Sequence, residues 1–200
     1  MDTELVYQKK IQVSRDDKKE EIRYFNDRSR MQVFYVNGKR EGECKVWSAN
    51  GQLEKQSFYR NGLLDGEYKI WRTNGRLWSQ AFYRNGNQNG ECKVWNENGQ
   101  LEEQEFYRNG KREGCCKKWY ENGQLAEHIF YRDGRPEGER KVWSNGIMSS
   151  YTYYENGKIV DSTFSLRKKC ALLRLQKCLH SQHLISIISP YIISDLIRTI

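Results

Sequence analysis

The sequence predicts a mainly β protein: an elongated, open solenoid of antiparallel β-hairpins in a single twisted sheet, followed by a short C-terminal α-helical element. Three regularities predict this fold class. Tryptophans recur every 24 residues, Phe-Tyr pairs recur at the same interval, and all sixteen glycines fall into three positions of that period. Such a period indicates a repeat protein whose units pack on their neighbours. The tryptophans in register are Trp47, Trp71, Trp95, Trp119 and Trp143.

The composition excludes several other classes of protein. Apolar residues make up 37% of the 200 residues, which is too few to fill a large spherical core. Aromatic residues make up 13%, far more than an unfolded chain carries. No apolar run reaches the length of a membrane-spanning helix, and the first ten residues lack the apolar stretch of a secretion signal.

The sequence pattern of each 24-residue unit predicts one β-hairpin. An Asn-Gly pair separates its two strands, and a type I′ turn needs positive φ at both of its central residues. We therefore expect a tight turn at each such pair, and a longer connection between hairpins at residues 61–66, where two glycines occur. Strand alternation then places Trp47 and Phe58 on one face and Ser57 on the other. The glycines of these predicted turns are Gly51, Gly75, Gly99, Gly123 and Gly146.

The chain divides into three parts by pattern. Residues 1–33 keep a strand–turn–strand pattern without glycine or tryptophan, which is typical of degenerate strands that cap an exposed sheet edge. Residues 34–164 hold the repeats. Residues 165–200 contain no glycine and show apolar residues at helical spacing. Ser189 and Pro190 predict the N-cap and first residue of a last helix, Tyr191 to Ile200.

The repeats resemble a known family. Asn-Gly-Lys-Arg-Glu-Gly occurs at residues 37–42 and 109–114, each time after an aromatic residue and five residues before a tryptophan. Over residues 34–157 the units closely resemble MORN repeats, in the variant form of bacterial antitoxin-like proteins and giant DNA viruses. The resemblance implies stacked hairpins and roles in assembly, scaffolding or membrane proximity, without a catalytic site. The usual second glycine is replaced here by Cys44, Tyr68, Cys92, Cys116 and Arg140.

Cysteine and histidine do not form a recognisable site in the sequence. Equivalent residues such as Cys92 and Cys116 are expected about 9.6 Å apart, two strand spacings, whereas a disulfide needs Cα atoms within about 7 Å. No Cys-x-x-Cys occurs, and His128 occupies a position filled by glutamine in other repeats. We expect reduced thiols, an intracellular and cytoplasmic protein, no metal or cofactor, and no enzymatic activity.

The positive charge is concentrated at the C-terminal end. Of the net charge of +8, residues 165–200 carry +5, with six Lys or Arg against one Asp. Three interpretations stay open: a capping helix, a surface for an acidic protein partner, and a surface for an anionic membrane or nucleic acid. Nucleic acid is the least favoured, because the nearly neutral repeats lack an attracting field. The candidate interaction residues are Arg167, Lys168, Lys169, Arg174 and Lys177.

These observations favour a non-enzymatic scaffold that presents a long flat face to other proteins. The resemblance to viral repeats adds a more specific hypothesis, a virion or host-interaction component of a large DNA virus. The alternative function is a peripheral membrane module that docks on anionic lipids through the basic C-terminal helices. No small-molecule substrate is expected.

Overall fold

The computed structural model of the chain describes residues 6–13 and 18–161, and these form one open antiparallel sheet. Each strand pairs with the next along the chain, apart from the short β10, which pairs with β9 while β11 continues the sheet. The described ranges contain no helix. The strands are β1 (Val6–Val13), β2 (Lys18–Phe25), β3 (Arg30–Val36), β4 (Lys39–Trp47), β5 (Leu53–Arg60), β6 (Leu63–Trp71), β7 (Leu77–Arg84), β8 (Asn87–Trp95), β9 (Leu101–Arg108), β10 (Lys111–Arg112), β11 (Gly114–Trp119), β12 (Leu125–Arg132), β13 (Arg135–Ser144), β14 (Ile147–Glu155) and β15 (Lys158–Asp161).

The predicted hairpin array is confirmed, and the sheet extends beyond it at the N-terminal side. Strands β1 and β2 pair with each other, and β2 pairs with β3, which crosses the predicted boundary between residues 33 and 34. The predicted helices of residues 165–200 lie outside the described residues. Within the described ranges, no helix is long and apolar enough to cross a membrane.

One row of connections consists of two-residue turns, five Asn-Gly and one Asp-Gly; we call it the turn row. Arg60 pairs with Leu63 across Asn61-Gly62, and both central residues have positive φ, 51° and 87°. This geometry is that of a type I′ turn. The longer connection predicted at residues 61–66 is therefore wrong, because the strand resumes directly after Gly62. The turns of this row are Asn37-Gly38, Asn61-Gly62, Asn85-Gly86, Asn109-Gly110, Asp133-Gly134 and Asn156-Gly157.

The opposite row consists of five-residue loops; we call it the loop row. Trp47 pairs with Leu53, and the N–H of Gly51 donates to the carbonyl of Ser48 at 2.9 Å. Gly51 has a φ of 83°, but Asn50 is not among the residues with positive φ. Instead, the Asn50 Oδ1 accepts the N–H of Gln52 at 3.0 Å. The predicted type I′ turns are thus wrong at Gly51, Gly75, Gly99 and Gly123, where a type I turn with a glycine bulge forms instead.

The last hairpin is the exception in the loop row. Its connection is one residue shorter, so Ser144 pairs with Ile147 across Asn145-Gly146. Both central residues have positive φ, 51° and 74°. The predicted type I′ turn is therefore confirmed at Gly146.

The remaining set of glycines, of which Gly66 is an example, lies inside the strands at β-bulges. Gly66 belongs to β6, has a φ of 127° and pairs with Tyr83. A Cβ at this position would lie 2.9 Å from the Cβ of Phe58, which no side chain tolerates without a shift. Glycine therefore lets two hairpins approach closely at this bulge.

The core of the sheet is a row of side chains one residue wide, which we call the buried ladder. Cys44, for example, pairs directly with Val33 on one side and with Ser57 on the other. Every residue that is buried within the described ranges belongs to this row, so stability comes from neighbouring strands instead of a central apolar interior. The buried residues are Glu21, Val33, Cys44, Ser57, Ala81, Glu105, Cys116 and Ile129.

Candidate functional site: the open face

The face opposite the buried ladder, which we call the open face, carries a row of aromatic rings. In each Phe-Tyr pair the phenylalanine points to the open face, because the preceding residue belongs to the buried ladder. The pairing places Phe58 opposite Glu43 and Ser57 opposite Cys44, so Phe58 and Ser57 lie on different faces as predicted. Several of these rings stay partly in solvent, among them Phe82 (37% exposed), Phe130 (42%) and Tyr153 (39%). This aromatic row comprises Phe34, Phe58, Phe82, Phe106, Phe130 and Tyr153.

Beside the aromatic row, polar side chains form the same neutral cluster in three hairpins, β4–β5, β6–β7 and β8–β9. The carboxylate of Glu91 accepts hydrogen bonds from Lys93 at 2.7 Å and from Gln104. The hydrogen bond from Lys93 lowers the pKa of Glu91, and burial opposes this shift. The same cluster forms around Glu43 and Glu67. The charges of the open face are thus largely paired among themselves.

The fourth hairpin, β11–β12, carries a different pair at the same positions. Cys115 stands where the other hairpins have glutamate, and His128 stands where three of them have glutamine. The two remain in contact, with the Cys115 Sγ 2.9 Å from the His128 Nε2. The ring of Phe130 packs edge-on against the imidazole, with 5.0 Å between ring centroids. A thiol–imidazole pair therefore replaces the carboxylate–amide pair at this one point.

An open groove of about 720 Å³ lies on this part of the open face. Phe106, Phe130 and Tyr153 line it, together with Cys115. The guanidinium groups of Arg108 and Arg132 lie at its rim and form loose ion pairs with Glu113 and Glu137, at 3.8 and 3.7 Å. The groove therefore combines apolar walls with a mixed-charge rim.

The turn row forms a second regular feature, which comes from backbone donors. The N–H of Gly62 donates to the carbonyl of Arg40 at 2.8 Å, and the N–H of Asn61 donates to the carboxylate of Glu41 at 2.8 Å. The same bonds recur at Asp133-Gly134. From Asn61-Gly62 onward, each turn is thus anchored on the strand that leaves the turn before it, and the residue before each bulge glycine supplies the side-chain acceptor. The sequence prediction missed this role, although an acidic residue precedes four of the five bulge glycines.

The family comparison agrees with this geometry. A family model described as MORN repeat variant matches residues 40–61, 64–85, 88–111 and 112–133. Residues 40–133 belong to the MORN repeat variant family. Each match begins at a strand that leaves a turn of the turn row and ends at or beside the next such turn. No curated protein matches the chain. MORN repeats of this kind indicate a repeat module that binds proteins or membranes.

The five tryptophans in register lie at or next to strand ends, beside the loop row. Each is half-buried and pairs with an apolar residue of the following strand, as Trp47 does with Leu53. Successive loops are joined through side chains: Arg72 donates to the carbonyl of Trp95 at 3.0 Å, and the Tyr120 hydroxyl donates to that of Trp143 at 2.6 Å. The predicted turn and ladder residues therefore all lie in the loop row or at its border.

The remaining candidate residues divide between the two faces and the tail. Within the described ranges, Cys44, Cys92, Cys115 and Cys116 are free thiols, and no group of three or more His, Cys, Asp or Glu side chains could hold a metal ion. The basic residues predicted for interaction lie outside the described part of the chain. The structure therefore directs attention to the open face, which the sequence did not distinguish from the other face.

Proposed function

We propose that the MORN sheet is a non-enzymatic scaffold that binds another protein through the aromatic row. The observation that carries the proposal is the repeated exposure of large aromatic rings on one face, seen at Phe82, Phe130 and Tyr153. Aromatic residues are enriched in protein–protein interfaces, and exposed apolar patches mark interaction sites.

The charges of the open face support a protein partner over nucleic acid. Glu67 and Lys69 pair at 2.7 Å, as do Glu91 and Lys93. Paired charges attract a polyanion only weakly at long range. Paired charges around an apolar patch are instead typical of the polar rim of a protein–protein interface. A cytoplasmic location agrees with the free thiols of the described ranges.

A capture experiment with matched variants tests this proposal. The full chain is immobilised and exposed to lysate of its native cell, as wild type, as Phe82→Ser/Phe130→Ser, and as Ile147→Ser/Ile159→Ser. The second pair removes exposed apolar side chains outside the aromatic row. We expect a protein that wild type and the control both retain and that the phenylalanine variant loses. Equal retention by all three, or no specific retention, contradicts the proposal. Circular dichroism verifies that each variant keeps the β-sheet.

The viral hypothesis is a narrower version of the same proposal. If the repeats serve in a virion or in host interaction, then the protein retained through the aromatic row is a virion protein or a host protein. Mass spectrometry of the retained protein distinguishes these origins.

A peripheral membrane function is the second candidate, and the concentration of charge in residues 165–200 favours it. Clustered Lys and Arg beside apolar residues are typical of segments that bind anionic lipid surfaces. Flotation with phosphatidylserine vesicles at physiological salt tests it on the full chain. The scaffold proposal predicts no flotation. Flotation that is lost when Arg167, Lys168, Lys169, Arg174 and Lys177 are all changed to Gln would establish the membrane function.

A further inference from the structure

Two residues that contact each other in the fourth hairpin depart together from the repeat pattern. In the third hairpin Glu91 accepts a hydrogen bond from Gln104. At the equivalent positions Cys115 and His128 are in contact through Sγ and Nε2. The exchange turns a hydrogen-bonded structural pair into a thiol beside a base, which is a chemically reactive combination.

Access separates Cys115 from the other described cysteines. Cys44 and Cys116 are buried in the ladder of the opposite face. Cys92 lies in that row as well, and burial, with Glu105 and Glu103 nearby, raises its pKa to about 11. Cys115 instead lines the groove beside Phe106 and Phe130, which is open to solvent.

The lysines around the pair act on both of its groups, the thiol and the imidazole. In the other hairpins the lysine equivalent to Lys117 forms an ion pair with the glutamate that Cys115 replaces. Among the described residues, no carboxylate lies within ion-pair distance of Lys117, so its charge acts on the Cys115 sulfur. Burial raises the pKa of the Cys115 thiol, and Lys117 opposes this shift.

His128 is placed to accept the thiol proton, and its surroundings make the imidazole a weaker base than usual. Burial lowers its pKa, and the neighbouring Lys141 and Lys117 lower it further, while Glu139 opposes them. The imidazole is therefore neutral at neutral pH, with Nε2 2.9 Å from the Cys115 sulfur. A neutral imidazole at this distance accepts a proton from a thiol.

We propose that Cys115 is a covalent modification site that undergoes thiol–disulfide exchange with a small disulfide carrying carboxylates. His128 takes the proton of the Cys115 thiol, and the sulfur attacks one sulfur of the disulfide. The new S–S bond forms as the old one breaks, and the departing thiolate takes the proton from His128. Cys115 ends as a mixed disulfide, and the other half of the reagent ends as a free thiol. Arg108 and Arg132, whose ion pairs with Glu113 and Glu137 are loose at 3.8 and 3.7 Å, fit the carboxylates of such a reagent.

Peptide mapping of the full chain treated with glutathione disulfide tests the proposal. Cys116 is an internal control, because it is the adjacent residue but faces the buried ladder. We expect Cys115 to be modified at least about tenfold faster than Cys116, Cys44 or Cys92. Similar rates at Cys115 and Cys116 would overturn the proposal. Uncharged dithiodipyridine, used in parallel, should show a smaller preference for Cys115.

A second variant separates the role of His128 from simple access. His128→Gln installs the residue that three other hairpins carry, so we expect the sheet to be kept. The variant should lower the Cys115 rate at pH 7 about tenfold, and its rate should rise with pH as the thiol ionises. An unchanged rate and pH profile would remove His128 from the proposal. Gln104→His places a histidine next to Glu91 in the third hairpin. It tests whether a histidine elsewhere on this face affects the reaction, and it should leave the Cys115 rate unchanged.

Discussion

The turn row and the loop row use the same Asn-Gly pair in two different conformations. In the turn row Asn61 has a φ of 51°, and the two residues alone connect the strands. In the loop row Asn50 lacks a positive φ, and its side chain accepts a backbone N–H instead. Asparagine suits both positions for separate reasons, tolerance of the left-handed region and hydrogen bonding to its own backbone. The comparison teaches that the spacing between paired residues decides which of these properties is used.

The two rows also differ in what holds one hairpin to the next. The turn row is held by backbone donors, such as the N–H of Gly62 on the carbonyl of Arg40. The loop row is held by long side chains, such as Arg72 on the carbonyl of Trp95. Backbone bonds recur in each turn from Asn61-Gly62 onward, so we expect the turn row to tolerate side-chain changes better than the loop row does.

The largest effect is expected where a loop-row glycine is replaced by a β-branched residue. Gly99 has a φ of 83° with no neighbouring atom within 4 Å of an added Cβ, so the cost of Gly99→Val is backbone strain and not a clash. We expect a loss of about 2–3 kcal/mol in the free energy of unfolding, measured by denaturant titration. Glu102→Gln in the next strand is the control and should change the value by less than about 0.5 kcal/mol. Equal small effects at both positions would contradict the assigned conformation.

An intermediate effect should distinguish the two asparagines. Asn50→Gly removes the side-chain acceptor for the N–H of Gln52 and adds chain entropy, so it should destabilise the protein by about 1 kcal/mol. Asn61→Gly places glycine, which adopts positive φ without strain, at a left-handed position. Its free energy of unfolding should therefore lie within about 0.5 kcal/mol of the wild-type value. Thermal and denaturant unfolding measure both. A larger loss for Asn61→Gly than for Asn50→Gly would reverse the assignment of the two rows.

The smallest effect is expected from shortening a loop. Deleting Ala49 gives the first loop the length of the Asn145-Gly146 connection while keeping Trp47 and Leu53 at pairing distance along the chain. The shortened protein should keep its sheet, lose less than about 1 kcal/mol, and place Asn50 at positive φ. Backbone chemical shifts of Asn50 and Gly51 report the change. Loss of the Trp47–Leu53 pairing would show that loop length does not set the turn type.

Much of the fold follows from the sequence, because the 24-residue period and the hairpin signals are local. The sequence prediction exchanges the turn types of the two rows, since Asn-Gly alone does not reveal whether two or five residues separate paired positions. Trp47 to Leu53 is a separation of six, whereas Arg60 to Leu63 is a separation of three, and only the pairing shows which separation applies.

The candidate site was predicted less completely than the fold. His128 was recognised in a glutamine position, but its contact with Cys115 depends on strand register across a turn. A comparison of the repeats position by position would have shown both departures, glutamate to cysteine and glutamine to histidine, in the same hairpin. The unequal exposure of the two faces has no such signal, because both carry aromatic residues at the same period.

The central claim is that equivalent residues of successive hairpins advance along one open sheet. This claim is tested with spin labels on noncanonical amino acids at the exposed Arg60, Arg84, Arg108 and Arg132. Double electron–electron resonance measures the distances between the labels. With strands about 4.8 Å apart, the pairs 60–108 and 84–132 should each give about 20 Å, and the pair 60–132 about 30 Å. A 60–132 distance equal to or shorter than the 60–108 distance would contradict the open sheet.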